Sequence, residues 1–167
     1  MKIELKNVKY AAFASQETSC FSATIYVDGK KAGTAENSGH GGATIVRPDD
    51  LSRRINAYAK TLPTIKTDMP DPHEEGKKFE YAQSDETLID DLLNTYLAER
   101  DMVRLMSKRV LFTKPGQKGV FQTKAVPAAT MSEWLGNPAA AAAMGADKIL
   151  NLLPRAEALN IFRSAAQ

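Results

Sequence analysis

Asp28-Gly29 stands between two short segments whose side chains alternate, and that dipeptide constrains the fold more than any other pair in the chain. Before it, Phe21, Ala23, Ile25 and Val27 fall on one side of an extended strand, and Ser22, Thr24 and Tyr26 fall on the other. After it, Lys30 to Glu36 returns. An Asp-Gly pair accepts the positive φ angles of a two-residue hairpin turn, so the two segments are expected to pair antiparallel. Upstream, Ile3 and Leu5 alternate with charged neighbours, and Val8 and Tyr10 resume with shifted parity. A strand over Lys2 to Phe13 with a bulge near Asn7 explains the shift and completes a three-stranded meander.

The meander's faces are unequal, so helices are expected on one of them. Pro48-Asp49-Asp50 opens a helix to about Leu62, with Leu51, Ile55, Tyr58 and Leu62 as its apolar stripe. Pro63 to Gly76 combines Pro63, Pro70 and Pro72 with Asp68, Asp71, Glu74 and Glu75, which reads as a long acidic surface loop. Ser84-Asp85-Glu86 begins the longest helix, whose inward stripe is Leu88, Leu92, Tyr96 and Val103, widened by Ile89, Leu93 and Leu97. A second hairpin, Val110 to Gln122, is expected to extend the sheet. Thr130 to Glu133 has capping-box spacing before Trp134, Asn137-Pro138 caps an alanine-rich turn, and Pro154 opens a last helix. The fold class is therefore α+β: an antiparallel sheet, made of the N-terminal three-stranded meander plus the later hairpin, with helices on one face.

The chain's 167 residues suit one domain over residues 1–167, and 43% hydrophobic residues suffice for a core. A net charge of only +2 is too balanced for a dedicated duplex-binding protein, so nucleic acid is not the favoured partner. The basic pairs Lys30-Lys31, Arg53-Arg54, Lys77-Lys78 and Lys108-Arg109 are dispersed and act together only where folding gathers them. Cys20 is the sole cysteine, which rules out an intrachain disulfide and fits a reducing cytoplasm. No apolar run approaches the roughly 20 residues of a membrane span, and the first residues lack a signal-peptide core, so a cytoplasmic protein is expected.

The candidate binding residues are Asn37, Ser38, Gly39, His40, Gly41 and Gly42, with Arg47. Three glycines in a loop let backbone N–H groups turn toward an anion, and His40 and Arg47 add donors, so a nucleotide-like small molecule is one expected ligand. The spacing matches neither a Walker loop nor a dinucleotide fingerprint. No serine or cysteine nucleophile is identifiable beside His40, and no catalytic residue is assigned; the reading leans away from an enzyme. His73 with Asp71, Glu74 and Glu75 lacks a second histidine at ligand spacing, so no metal and no cofactor is expected.

Phe21 to Lys31 followed by Asn37 to Gly42, together with Val110 to Phe112 and Ile149 to Pro154, resembles small uncharacterised proteins encoded by bacteriophages and prophages. The resemblance implies a setting, the cytoplasm of a bacterial host, and carries no activity or catalytic residues. On that setting the expected function is a non-catalytic accessory protein that binds and modulates a host macromolecule, with an anti-defence inhibitor among the possibilities. The alternatives are a binder of a nucleotide-like anion at residues 37–42 and a nucleic-acid-binding accessory protein.

Overall fold

The structure, a computed structural model, describes residues 1–165. Its contacts divide the chain into two compact units, Met1–Asn94 and Thr95–Gln167. The class is α+β, with antiparallel strands and separate helices throughout the described residues.

In the first unit, β1 (Ile3–Tyr10), β2 (Phe21–Val27), β3 (Lys30–Asn37) and β4 (Ile45–Arg47) form one antiparallel sheet in that order. Asp28 (φ 49°) and Gly29 (φ 81°) both take positive φ, as a type I′ turn requires, and the turn sets Val27 opposite Lys30. The register of β1 on β2 slips between Lys6 and Lys9, with Asn7 at φ 52°, which restores Val8 to the pattern after the parity change. Phe21, Ala23, Ile25 and Val27 are all buried, the face their alternation predicts.

β4 is a fourth strand where a direct loop-to-helix connection was expected. It is only three residues long and pairs Thr34 to Arg47 and Glu36 to Ile45. α1 (Asp49–Ala59) follows and buries Leu51, Ile55 and Ala59, so Ala59 takes the place expected of Tyr58 in the stripe. The close approach of α1 and β4 to the sheet needs Gly33: a Cβ there would stand 2.0 Å from the Arg47 carbonyl oxygen and 2.6 Å from Leu51 Cδ2.

The segment read as an acidic loop is mostly a hairpin. β5 (Ile65–Pro70) pairs with β6 (Lys78–Tyr81), and only residues 71–77 turn. Composition opposed a central strand, yet this ladder has no third strand, and Pro70 sits at its end where a missing N–H costs little. Cross-strand ion pairs Lys66–Glu80 and Lys78–Asp68 and the stacked rings of Phe79 and Tyr81, 6.0 Å apart, hold it.

α2 (Asp85–Met106) begins as Ser84 predicts. Ser84 Oγ accepts from the Thr87 N–H at 3.2 Å while Thr87 Oγ1 accepts from the Ser84 N–H at 2.8 Å, a reciprocal cap. Its buried residues are Ile89, Leu93 and Met102, whereas Tyr96 and Val103, expected inward, are exposed. Apolar residues on two adjacent stripes left the helix's rotation open, and packing selects the Ile89–Leu93 side.

The second unit has its own core of Met102, Leu111, Leu150 and Ala158, with Leu105, Val120 and Phe162 against it. β7 (Leu111–Lys114) and β8 (Gln117–Gln122) form the second expected hairpin, but as a two-stranded ladder of its own rather than an extension of the first sheet. The Asn151 side chain ties the unit together, accepting from the Leu111 N–H at 2.8 Å and donating to the Arg109 carbonyl at 3.0 Å. α3 (Ala128–Leu135) starts behind Pro127 with no side-chain cap, two residues before the expected Thr130 box. α4 (Pro138–Met144) starts at its expected proline, and α5 (Arg155–Ser164) starts directly after Pro154, which is its N-cap.

Candidate functional site

Residues 38–44 connect β3 to β4, and the polar side chain that organises them is Asn37, 7% exposed. Its Oδ1 accepts from the Gly39 N–H at 2.8 Å and from Thr18 Oγ1 at 2.9 Å. Its Nδ2 donates to the Gly42 carbonyl at 2.8 Å and toward Thr44 Oγ1 at 3.3 Å. The Gly39 carbonyl in turn accepts from the N–H groups of Gln16, Glu17 and Thr18 at 3.0 to 3.4 Å. The glycine loop and residues 11–20, which connect β1 to β2, are thus braced against each other.

The three glycines differ in what they do. Gly39 has φ 87° and would place a Cβ 2.2 Å from the Ala14 carbonyl oxygen, so it is needed for both its angle and its contact. Gly41 has φ 81° and its absent Cβ points at the Glu17 carboxylate, 2.2 Å away, while its N–H is donated to Thr18 Oγ1 at 3.3 Å. Gly42 faces open space. The N–H groups of Gly39 and Gly41 are therefore spent inside the protein, and a carboxylate stands beside the loop. These contacts describe a brace more closely than a cradle for an anion.

The remaining site residues predicted from sequence lie around this brace. Ser38 and His40 are exposed, and His40 Nδ1 lies 2.9 Å from the Ser38 carbonyl oxygen. Arg47 is on β4, turned to solvent and ion-paired with Asp49. Asn37, Ser38 and Gly42, but neither His40 nor Arg47, line a shallow concavity of about 520 Å³ walled by Phe21, Glu36 and Ile45.

On the other side of Asn37, a smaller polar pocket of about 250 Å³ is lined by Glu17, Thr18, Ser19, Asp90 and Asn94. Thr44 ties the same region to α2: its N–H is donated to Glu86 Oε1 at 3.0 Å and its hydroxyl to Asp90 Oδ1 at 2.6 Å. Burial pushes the Asp90 carboxyl above its ordinary pKa; the Thr44 hydrogen bond opposes the shift and the nearby Glu86 charge adds to it. Among the described residues no group of three His, Cys, Asp or Glu side chains is arranged to hold a metal ion, and His73 sits on the β5–β6 turn with its N–H bonded to Asp71.

Phe13 was expected within the first strand. Instead β1 ends at Tyr10, and Phe13 occupies a 3-10 turn, Ala12–Ala14, where it is 92% exposed. That turn is held on both sides. Ser15 Oγ donates to the Ala11 carbonyl and accepts from the Cys20 N–H, both at 2.9 Å, and the Ala11 N–H reaches the Cys20 carbonyl at 3.0 Å. The sequence signal is the run Ala11-Ala12-Phe13-Ala14, which breaks the alternation that defines β1.

No protein family, characterised protein or solved structure was found to match this chain. Among the described residues no helix is long and apolar enough to cross a membrane.

Proposed function

We propose that this protein is a non-catalytic binding protein that grips a macromolecular partner through the turn at Phe13, and that the partner is a host protein in a bacterial cell infected by a phage. The observation that carries this reading is a phenylalanine almost wholly in water on a turn held by the hydrogen bonds that link Ala11, Ser15 and Cys20. Burying a phenyl ring is worth about 1.5–3 kcal/mol, and aromatic anchors of this kind dominate interface energetics. A loose loop would forfeit much of that in ordering entropy, whereas the Ser15 and Gly39 contacts hold this turn before binding.

The host setting rests on the resemblance to phage-encoded proteins. The same reading gives the Asn37 to Gly42 loop a supporting role, since Gly39 and Asn37 brace the segment that presents the ring. Quantitative affinity capture from bacterial lysate with the wild-type protein and Phe13→Ala tests it. Specific capture by the wild type that falls at least about tenfold in a folded Phe13→Ala variant is the expected result. An identical capture profile for the two proteins overturns the reading.

A further inference from the structure

We propose that the cleft between the start of β3 and α1 binds phosphate oxygens, carried by a free nucleotide or by a nucleic-acid strand. In sequence, Lys30-Lys31 and Arg53-Arg54 are separate basic pairs. Folding brings Lys30, Lys31 and Arg54 into the lining of one concavity of about 510 Å³, together with Val27 and Leu51. That volume lies within the range of small-molecule sites.

The charges around it are unequally satisfied. Lys2, Arg47, Lys66, Lys77 and Lys78 of the same unit are each ion-paired, whereas Lys6, Lys9, Arg53 and Lys60, like the cations of the cleft, are in none of the ion pairs among the described residues. Lys30, Lys31 and Arg54 belong to none of the ion pairs among the described residues, and in the lining of the cleft they outnumber the acids. Two acids share the cleft, Asp28 and Asp50, and both are already engaged with backbone dipoles. Asp28 Oδ1 accepts from the Lys2 N–H at 2.8 Å, and Asp50 lies in the first turn of α1, where the helix dipole offsets its charge.

The ligand class follows from the number of donors. Two ammonium groups and a guanidinium fork present more donors than the two oxygens of one carboxylate accept, whereas a phosphate offers three or more oxygens in a tetrahedral array. The apolar floor is narrow, so affinity rests on charge and is expected to fall steeply with salt. This site is separate from the Phe13 turn, and its presence does not depend on that turn binding anything.

Fluorescence anisotropy with a labelled single-stranded oligonucleotide and, separately, labelled ATP tests the proposal at about 50 and about 200 mM KCl. For at least one probe, Lys30→Ala/Lys31→Ala/Arg54→Ala is expected to lose roughly tenfold or more in affinity at low salt and to flatten the salt slope by about two. Preference for the oligonucleotide assigns the strand as source; comparable binding of ATP assigns the free nucleotide. Asp28→Asn/Asp50→Asn, in which asparagine keeps the turn conformation at position 28, is expected to tighten binding, a gain that misfolding does not mimic. Failure of both probes to bind the wild type, or equal binding by wild type and both variants, overturns the proposal. Phe13→Ala is expected to leave this binding unchanged.

Discussion

The hydroxyl of Thr18 donates to Asn37 Oδ1 at 2.9 Å and accepts from the Gly41 N–H at 3.3 Å, so one side chain from the β1–β2 connection holds both the start and the middle of the glycine loop. Asn37→Ala removes the centre of that arrangement and strands the Gly39 N–H, which is buried with its residue. Leaving such groups without partners is expected to cost about 2–3 kcal/mol in total. Urea unfolding measures it, and the midpoint of Thr18→Val should shift in the same direction by less, because it breaks fewer of the bonds. A double variant that loses less than the sum of the two would register their coupling.

The glycines of the loop predict opposite outcomes for the same substitution. Gly39→Ala drives a Cβ into the Ala14 carbonyl at a left-handed φ and is expected to destabilise by at least about 1–3 kcal/mol. Gly42→Ala meets nothing and is expected to stay within about 0.5 kcal/mol of the wild type. Thermal melts of the two proteins side by side check this.

Local chemistry made much of the first sheet legible. The alternation of Phe21 to Val27, the Asp28-Gly29 turn and the parity break at Asn7 are each decided by neighbours in sequence. What stayed hidden depends on residues far apart. β4 has three residues, too few for alternation to declare itself, and exists because β3 offers it a ladder. Pro70 and the acids around it argue against a strand only where the strand is central, and β5 is not. The rotation of α2 was undetermined by a sequence apolar on both candidate stripes. The glycine loop itself was visible, but its partners Glu17 and Thr18 lie some twenty residues earlier, and nothing local announces that the Gly39 and Gly41 N–H groups are already used.

The β5–β6 hairpin is expected to be the most labile ladder of the first unit. Two strands alone are marginal in water, and Lys66, Asp68 and Glu80 expose most of the pairing that holds this one. Hydrogen–deuterium exchange should show the amides of residues 65–81 exchanging orders of magnitude faster than those of Phe21 to Val27, whose strand is paired on both sides. Raising the salt concentration should accelerate them further by screening the two ion pairs.

Asp90 gives the first unit a pH dependence of unusual sign for a carboxylate. Its pKa in the folded protein is raised by burial and by Glu86, against the hydrogen bond from Thr44, so the native state holds this proton more tightly than the unfolded chain does. The stabilisation belonging to the protonated form is therefore fully present below the unfolded pKa and is lost as pH rises through the folded one. At neutral pH the ionised, half-buried carboxylate is a liability. Asp90→Asn keeps an oxygen to accept from the Thr44 hydroxyl and removes the charge, so it is expected to be more stable than the wild type at pH 7. The advantage should shrink as both proteins are acidified toward the ordinary carboxylate range, since the wild-type side chain then becomes neutral as well. Denaturant titrations of the pair between about pH 3 and 7 read this directly. A constant difference across that range would mean that the amide changes the packing around Thr44 rather than the charge.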